Sequence, residues 1–223
     1  MPPPSVMRTL AIVPVKRFAL AKQRLSERFP PAQRATVARA MVEDVLGALV
    51  AAPGLSEVLV VTNEPLIAKL AGQLGAQVRT DVHEAGQSTA AGAGISYALD
   101  GGVERVLLVP GDCPALDIDE LSALLQAPSD PTPSVVIVPD RHGTGTNALL
   151  LTPPDVIDPA FGPGSFERHR ALAAQAGVRC DVARPATLLL DIDTPEDLAA
   201  LLAGPSERAP HTRAALAGLA GEC

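Results

Sequence analysis

The chain has 223 residues, with 18 Lys and Arg side chains against 25 Asp and Glu, and a formal net charge of −7. This acidic balance argues against a general binder of nucleic acid or of an anionic membrane, because both partners reward a broad basic field. Hydrophobic residues make up 47% of the chain, so it can bury a sizeable core and fits one domain of ordinary upper size or at most two small ones.

The charge is distributed unevenly along the chain. Residues 1–39 contain eight basic side chains and one acidic side chain and carry +7, whereas the remaining 184 residues carry −14. A small anionic ligand near the N-terminal part is therefore compatible with the acidic total.

Three features predict a cytoplasmic protein. No apolar run reaches the roughly 18 residues needed to span a bilayer. Residues 1–8 lack the basic-then-apolar order of a signal peptide. Cys113, Cys180 and Cys223 form no CxxC pair and cannot all be paired within one chain, which fits a reducing compartment.

Short apolar runs alternate with helical patterns from residue 9 to residue 202. Strands are predicted at 9–15, 58–61, 106–109, 135–138, 148–151 and 187–190, and helices at 33–50, 65–74, 88–99, 117–125, 166–176 and 195–202. This alternation predicts βαβ units and an α/β fold with a mostly parallel sheet and helices on both faces. In such sheets ligands bind beyond the carboxyl ends of the strands, so the residues after each strand form the candidate site. Residues 204–223 differ in composition and are interpreted as a tail with either a short helix or no regular structure.

A basic loop follows the first predicted strand. Two of the three lysines of the chain, Lys16 and Lys22, lie there with Arg17 and Arg24. Such side chains can contact several oxygens of a polyphosphate, although a solvated basic loop is the alternative. Neither GxxxxGK[ST] nor GxGxxG occurs, so phosphate binding would rely on side chains more than on glycine-rich backbone.

Acidic residues follow two other predicted strands. Asp112 lies in the rigid segment PGDCPAL, and Asp191 and Asp193 begin the segment DIDTPEDL. Mg²⁺ is usually held by one or two carboxylates together with substrate phosphates, and side chains two residues apart on extended backbone point to the same side. Asp112 alone could simply cap a turn, and residues 194–197 are explained by a helix start. The three acids together form a candidate Mg²⁺ site.

Two glycine-containing segments are candidate anion cradles. The segment DRHGTGTNAL contains Thr146, and FGPGS contains Gly162 and Ser165 just before a predicted helix. Backbone N–H groups and hydroxyls in such turns can bind a carboxylate or a phosphate, although a hairpin or a capped helix start explains each segment equally well. His142 and His169 are interpreted as structural or rim residues, because neither has a partner at ligand spacing.

The chain resembles the CofC/FbiD family of guanylyltransferases of coenzyme F(420) biosynthesis, relatives of the molybdenum-cofactor guanylyltransferases. The resemblance is carried by five segments in this order: PVKRFALAKQRL, PGDCPAL, DRHGTGTNAL, FGPGS and DIDTPEDL. The resemblance covers about residues 10–202. It implies a three-layer, Rossmann-like nucleotidyltransferase fold of the nucleotide-diphospho-sugar transferase type, with a mostly parallel mixed sheet, in a single domain at 1–203. It also implies Mg²⁺ dependence and transfer of GMP from GTP to the phosphate of a small phosphorylated three-carbon acid.

The resemblance assigns roles to individual positions. The family's metal-binding acids match Asp112, Asp191 and Asp193. The acceptor acid is held at positions matching Thr146, Gly162 and Ser165. The triphosphate is expected on Lys16 and Lys22, with Arg24 in the same loop, and Lys16, Lys22 and Asp112 are the expected catalytic residues. One departure, Gly86-Gln87-Ser88-Thr89-Ala90 where many relatives have Leu-Asn, leaves the residues that recognise guanine unassigned.

Several alternatives stay open at this point. Phosphoenolpyruvate is the expected acceptor because of the Ala-, Arg- and Pro-rich, bacterial character of the chain, and 2-phospho-L-lactate and 3-phospho-D-glycerate are close rivals. A sugar-phosphate or molybdopterin nucleotidyltransferase is a second reading, disfavoured by the lack of a GGxSxRMG-type loop. A nucleotide-binding regulatory module without catalysis is a third. A homodimer stays open, and no nucleic-acid or membrane partner is expected.

Overall fold

The structure, a computed structural model, describes residues 7–18, 22–26, 28–81, 85–126 and 133–220. Seven strands form one sheet: β1 (Thr9–Val15), β2 (Glu57–Thr62), β3 (Gln77–Arg79), β4 (Arg105–Leu108), β5 (Ser134–Pro139), β6 (Thr146–Thr152) and β7 (Arg179–Val182). Their order is β3-β2-β1-β4-β6-β5-β7. Strand β6 runs antiparallel to both β4 and β5, and the other neighbours are parallel. The predicted mostly parallel mixed sheet is confirmed.

Seven α-helices accompany the sheet in the described part of the chain: α1 (Pro31–Ala51), α2 (Pro65–Gln73), α3 (Gln87–Asp100), α4 (Ile118–Gln126), α5 (Ser165–Gln175), α6 (Pro195–Ala203) and α7 (Pro210–Ala220). No helix among the described residues is long and apolar enough to cross a membrane. The tail that was predicted as a short helix or irregular chain thus contains α7.

Strand β1 is apolar throughout because it is covered on both faces. All seven of its residues are buried. Alternate side chains belong to different cores: Ala11 and Val13 pack with residues of α1, α2 and α4, whereas Leu10 and Ile12 pack with residues of α3 and α5. This period of two is the pattern of a strand between two helical layers. Helix α3 lies so close that a Cβ on Gly94 would come within 2.5 Å of Ile12 Cγ2.

The predicted strand at 187–190 is wrong. These residues form a turn, and the polar groups of the backbone there are bound by side chains instead of a neighbouring strand. The Asn147 amide donates to the carbonyl of Leu188, and the Glu120 carboxylate accepts from the N–H of Thr187. Leu188 is fully buried, which explains the apolar sequence without a strand. The short edge strand β3 and the other edge strand, β7, were not predicted.

The tail is anchored by one buried carboxylate. Asp44 on α1 accepts hydrogen bonds from the N–H groups of His211 and Thr212, from the hydroxyl of Thr212 and from the His211 ring. Helix α7 therefore packs on α1. Cys113 and Cys180 are not in disulfides, and Cys223 lies outside the described residues.

Candidate active site

The basic loop and the two acidic turns meet at one point. Lys22 Nζ lies 2.8 Å from Asp112 Oδ2 and 2.8 Å from Asp193 Oδ1. Lys22 has a left-handed backbone conformation with φ +53°, which turns its side chain toward the acids. Burial alone would lower the pKa of Lys22, but attraction and hydrogen bonds from the two carboxylates raise it above its ordinary value. The ammonium group is therefore charged at neutral pH.

Asp112 is held in place by close packing behind it. A Cβ on the preceding residue, Gly111, would come within 2.9 Å of Val42 Cγ2 on α1, so this turn requires glycine to approach the helix. The carbonyl of Asp112 accepts from the N–H of Ile192, which ties the first acidic turn to the second. Asp112 Oδ1 is buried and has no hydrogen-bond partner in the residues that the structure covers. A buried, unpartnered carboxylate oxygen is costly unless a cation or donor binds it.

Asp191 and Asp193 lie on either side of the fully buried Ile192. Asp191 accepts a hydrogen bond from the Asn147 amide, at 3.2 Å. Burial, and then the neighbouring charge of Asp112, raise the pKa of Asp191 against the opposing effect of that hydrogen bond. A nearby cation would oppose both causes, because it favours the charged form of a buried carboxylate and offsets the charge of Asp112.

The helix start after these acids has the predicted structure. Thr194 caps α6 by accepting from the N–H of Asp197, and the Asp197 carboxylate accepts from the N–H of Thr194 in return. Pro195 occupies the first turn. Arg141, from the segment DRHGTG, forms an ion pair with Asp197 at 2.6 Å and so fixes this second glycine-containing loop against α6. The loop and the acidic turn are therefore mutually positioned.

The side chains at this point carry the type of oxygen atoms that bind divalent cations. Carboxylate oxygens are the ligands that Mg²⁺ prefers, and Asp112 offers a buried oxygen without a partner. Within the described ranges, however, no group of three or more His, Cys, Asp or Glu side chains is arranged to hold a metal ion. The Lys22 ammonium lies between Asp112 and Asp193 and supplies the positive charge there. The assignment of Asp112, Asp191 and Asp193 as metal ligands stays a prediction.

Two cavities adjoin at these acids. The first, of about 240 Å³, is lined by Lys16, Lys22 and Gly111 and by the start of α3. The second, of about 390 Å³, is lined by the glycine-containing loops, including Thr146, Gly162 and Ser165. Both are lined by Gln87, Pro110, Asp112 and Asp193. A ligand in one cavity is therefore directly adjacent to a ligand in the other.

The predicted substrate-binding residues divide between the cavities. Exposed Lys16 and half-buried Lys22 line the first cavity, as expected for a triphosphate. Arg24 lines the second cavity, although it belongs to the same basic loop. The side chains of this loop therefore divide between the two cavities, and the assignment of Arg24 as a substrate-binding residue stays a prediction.

The second cavity is built differently from a backbone anion cradle. The N–H groups of Thr144 and Gly145 donate to the Asp140 carboxylate, within the same loop. Burial opposes ionisation of Asp140, but these hydrogen bonds lower its pKa overall. The N–H of Ser165 donates to the carbonyl of Gly162. These three N–H groups donate within their own loops, which leaves the hydroxyl groups as candidate donors to a ligand, and the predicted anion cradle stays a prediction.

Four residues outside the predicted set of site residues line or support the cavities, and one of them, His169, is interpreted from the sequence only as a structural or rim residue. Asp81 and Gln87 line the first cavity near the start of α3, and Asn147 orients Asp191. His169 is fully buried and bonds to Thr146. Of these four residues, Asn147 could have been inferred from the sequence, because it directly follows Thr146 in the segment DRHGTGTNAL. The others depend on tertiary contacts.

Comparison with known proteins gives the following matches. The profile of the family described as "Guanylyl transferase CofC like" matches residues 9–214. The chain is 45% identical over 213 residues to a phosphoenolpyruvate guanylyltransferase of Conexibacter woesei, covering 94% of this chain and 96% of that protein. A protein of the same name from Sphaerobacter thermophilus is 40% identical, covering 86% and 91%. A 3-phospho-D-glycerate guanylyltransferase of Colwellia psychrerythraea is 34% identical, covering 89% and 94%.

Solved structures match the fold. A Desulfovibrio desulfuricans structure assigned provisionally to the nucleotide-diphospho-sugar transferases superposes with a TM-score of 0.72 at 18% identity, covering 95% of each chain. A nucleotidyl transferase from Methanothermobacter thermautotrophicus superposes with a TM-score of 0.61 at 20% identity, covering 87% of this chain and 95% of that one. The predicted nucleotide-diphospho-sugar transferase type of fold is confirmed.

Proposed function

Because this chain belongs to the family of CofC-like guanylyl transferases, we propose that it transfers GMP from GTP to the phosphate of phosphoenolpyruvate. The products are enolpyruvoyl-2-diphospho-5′-guanosine, which is an intermediate of coenzyme F(420) biosynthesis, and pyrophosphate, which is the by-product. The observation that carries this proposal is the adjacency of two cavities at Asp112 and Asp193, one lined by lysines and the other by hydroxyls.

The reaction needs positioning and positive charge more than acid–base chemistry. An oxygen of the acceptor phosphate attacks the α-phosphorus of GTP, the bond from that phosphorus to the bridging oxygen breaks, and pyrophosphate leaves. The acceptor phosphate is ionised at pH 7, so no general base is required. Negative charge grows on the leaving pyrophosphate, and cationic side chains in a fixed place stabilise it. Lys16 and Lys22 line the cavity in which that charge develops.

We assign Mg²⁺ as the cofactor, held by Asp112, Asp191 and Asp193. When bound, it would neutralise phosphate oxygens and hold the triphosphate in register. Support comes from the buried, unpartnered oxygen of Asp112 and from the raised pKa of Asp191, because both groups gain from an added positive charge. Lys22 would then contact phosphate oxygens in place of the two acids that it bridges in the structure.

The acceptor assignment favours phosphoenolpyruvate over its rivals. Relatives at 45% and 40% identity carry that name, whereas the relative named for 3-phospho-D-glycerate is 34% identical. The other candidate acids, 2-phospho-L-lactate and 3-phospho-D-glycerate, differ from it by a few atoms around the same phosphate and carboxylate. The enzyme is proposed to act in the cytoplasm.

The experiment that tests this proposal is a pyrophosphate-release assay with purified protein. GTP, ATP and CTP are each offered with Mg²⁺ and each of the three acids. We expect turnover with GTP and the highest kcat/KM with phosphoenolpyruvate. Asp112→Asn and Asp193→Asn should abolish turnover, while the exposed Asp119→Asn on α4 is the matched control and should retain it. No turnover with any acid would overturn the proposal, and equal rates in the three variants would remove the assigned roles of the acids.

A further inference from the structure

His169 connects Thr146 in the wall of the second cavity to the loop at residues 160–163, part of which also lines that cavity. It lies on α5 and is fully buried. Its Nδ1 lies 3.0 Å from Thr146 Oγ1, and its Nε2 lies 2.9 Å from the backbone nitrogen of Ala160. Thr146 lines the cavity together with Gly162 and Ser165. The imidazole therefore stands directly behind one of the predicted acceptor-binding hydroxyls.

The bond from Ala160 determines which ring nitrogen carries the proton. A backbone N–H only donates, so His169 Nε2 must accept and be unprotonated. In a neutral imidazole the proton is then on Nδ1, which donates to Thr146 Oγ1. The hydroxyl of Thr146 uses a lone pair in that bond and keeps its own proton for another partner. With the opposite tautomer, Nδ1 would accept and consume the proton of the hydroxyl.

The ring is held in this state by its surroundings. Phe161 packs edge-on against it, with centroids 5.3 Å apart and an interplanar angle of 74°. Arg168, the preceding residue on α5, donates to the carbonyls of Ala160 and Pro163 and so fixes the loop that supplies the N–H group. Burial, and then the positive charge of Arg168, lower the pKa of His169 to about 4. The imidazole is therefore neutral at pH 7.

From this geometry we infer that His169 is a positioning residue, which directs the hydroxyl proton of Thr146 into the second cavity to donate to the acceptor acid. The inference rests on the proposed function, because it requires a phosphorylated acid in that cavity. The carboxylate and phosphate of such an acid only accept hydrogen bonds, so a hydroxyl with an available proton binds it and a hydroxyl without one does not. The backbone N–H groups of Thr144 and Gly145 donate to Asp140, which makes the hydroxyl more important as a donor.

Two substitutions separate the two hydrogen bonds of the ring. In His169→Asn, the side-chain amide can occupy the place of Nδ1 and still donate to Thr146. In His169→Gln, the longer amide can accept from Ala160 but leaves Thr146 without the donor that orients it. We expect His169→Gln to raise KM for phosphoenolpyruvate about 10-fold, the loss of one hydrogen bond to a charged group, with KM for GTP unchanged. His169→Asn should stay near the wild-type KM for both substrates.

A double-mutant cycle tests whether the effect passes through Thr146. Thr146→Val should itself raise the acceptor KM about 10-fold or more, and His169→Gln in that background should add no further loss. His211→Gln, at a hydrogen-bonded histidine on α7 that lines neither cavity, is the matched control and should leave both KM values unchanged. Independent, multiplicative effects of His169→Gln and Thr146→Val would overturn the inference, as would equal changes in the two KM values.

The tautomer is measured directly by ¹⁵N NMR of the histidine side chains in the wild-type protein, so the test does not depend on variants that fold. We expect one histidine to remain neutral at pH 6, with an unprotonated Nε2 and a protonated Nδ1. A His169 protonated on Nε2 would overturn the inference. No turnover of the wild type with any acid would overturn the proposed function itself, whereas normal turnover with an unchanged acceptor KM in His169→Gln would overturn the role of His169 alone.

Discussion

Lys22→Met removes the ammonium group between Asp112 and Asp193 while keeping a side chain of similar length. In the ligand-free protein this change leaves two carboxylates near each other without the cation that both contact at 2.8 Å. The two acids then repel, and Asp112 loses a partner on one oxygen while the other oxygen already has none within the described residues. We therefore expect a less stable protein with a stronger site for a divalent cation.

The size of the effect follows from the exposure of the three side chains. Lys22 is 9% exposed, whereas Asp112 and Asp193 are 29% and 41% exposed. Exposed pairs contribute about 0–1 kcal/mol, and breaking a fully buried pair costs about 3–5 kcal/mol. This intermediate case should cost about 1–3 kcal/mol. For a chain of this length, 1 kcal/mol shifts Tm by about 2–4 °C, so Tm should fall by about 2–12 °C.

The assay is thermal unfolding followed by circular dichroism, with and without millimolar MgCl₂ and without nucleotide. Mg²⁺ should raise the Tm of Lys22→Met more than that of the wild type, because in the variant Mg²⁺ no longer competes with the Lys22 ammonium group for the two carboxylates. Adding Asp112→Asn should remove that response. Lys69→Met, at an exposed position on α2, is the control for the substitution itself. A Lys22→Met protein as stable as Lys69→Met, or one indifferent to Mg²⁺, would refute the reasoning.

Three further predictions concern the supports of the site. Gly111→Ala should lower kcat at least 10-fold, because the new Cβ would meet Val42 and displace the acidic turn. The control Gly47→Ala on α1, where a Cβ would have no atom within 4 Å, should leave steady-state rates unchanged. The pKa of His169 in the folded protein lies below its ordinary value of 6.5, so the stability gained from the neutral imidazole is complete above pH 6.5 and is lost as pH falls toward 4. In urea titrations over that range, the wild type should lose up to about 3 kcal/mol relative to His169→Gln. Asp44→Asn should cost about 3 kcal/mol in a urea titration, because its amide would face two donors of α7, and limited proteolysis should release the tail first; unchanged stability would contradict the anchoring role.

The sequence predicts those strands that are covered on both faces. Strands such as β1 are continuous apolar runs, because helices pack on each side of them. The edge strands β3 and β7 escape prediction because they are short and partly exposed, with sequences QVR and RCDV. The opposite error occurs at 187–190, where the apolar residues form a turn whose Leu188 is fully buried. An apolar sequence indicates that residues are buried, but it does not show that they pair with a neighbouring strand.

The site is predictable as far as it depends on strand ends. Asp112 follows β4, so its place at the carboxyl edge of the sheet could be inferred from the pattern alone. The contact of Lys22 with Asp112 could not, because it depends on a left-handed residue in the loop. The hydrogen bonds of His169 could not be predicted either, since its two partners lie nine and 23 positions away and only the fold brings them together.

The measurement that tests the central claim most directly is the fate of a radioactive phosphate. The protein is incubated with Mg²⁺, phosphoenolpyruvate and GTP labelled at either the α or the γ position, and the products are separated by chromatography. Transfer of GMP predicts that the α label appears in a diphosphate ester of guanosine and enolpyruvate, while the γ label appears only in pyrophosphate. Label from the γ position in the acid, or α label recovered only as GTP, GDP or GMP, would contradict the account.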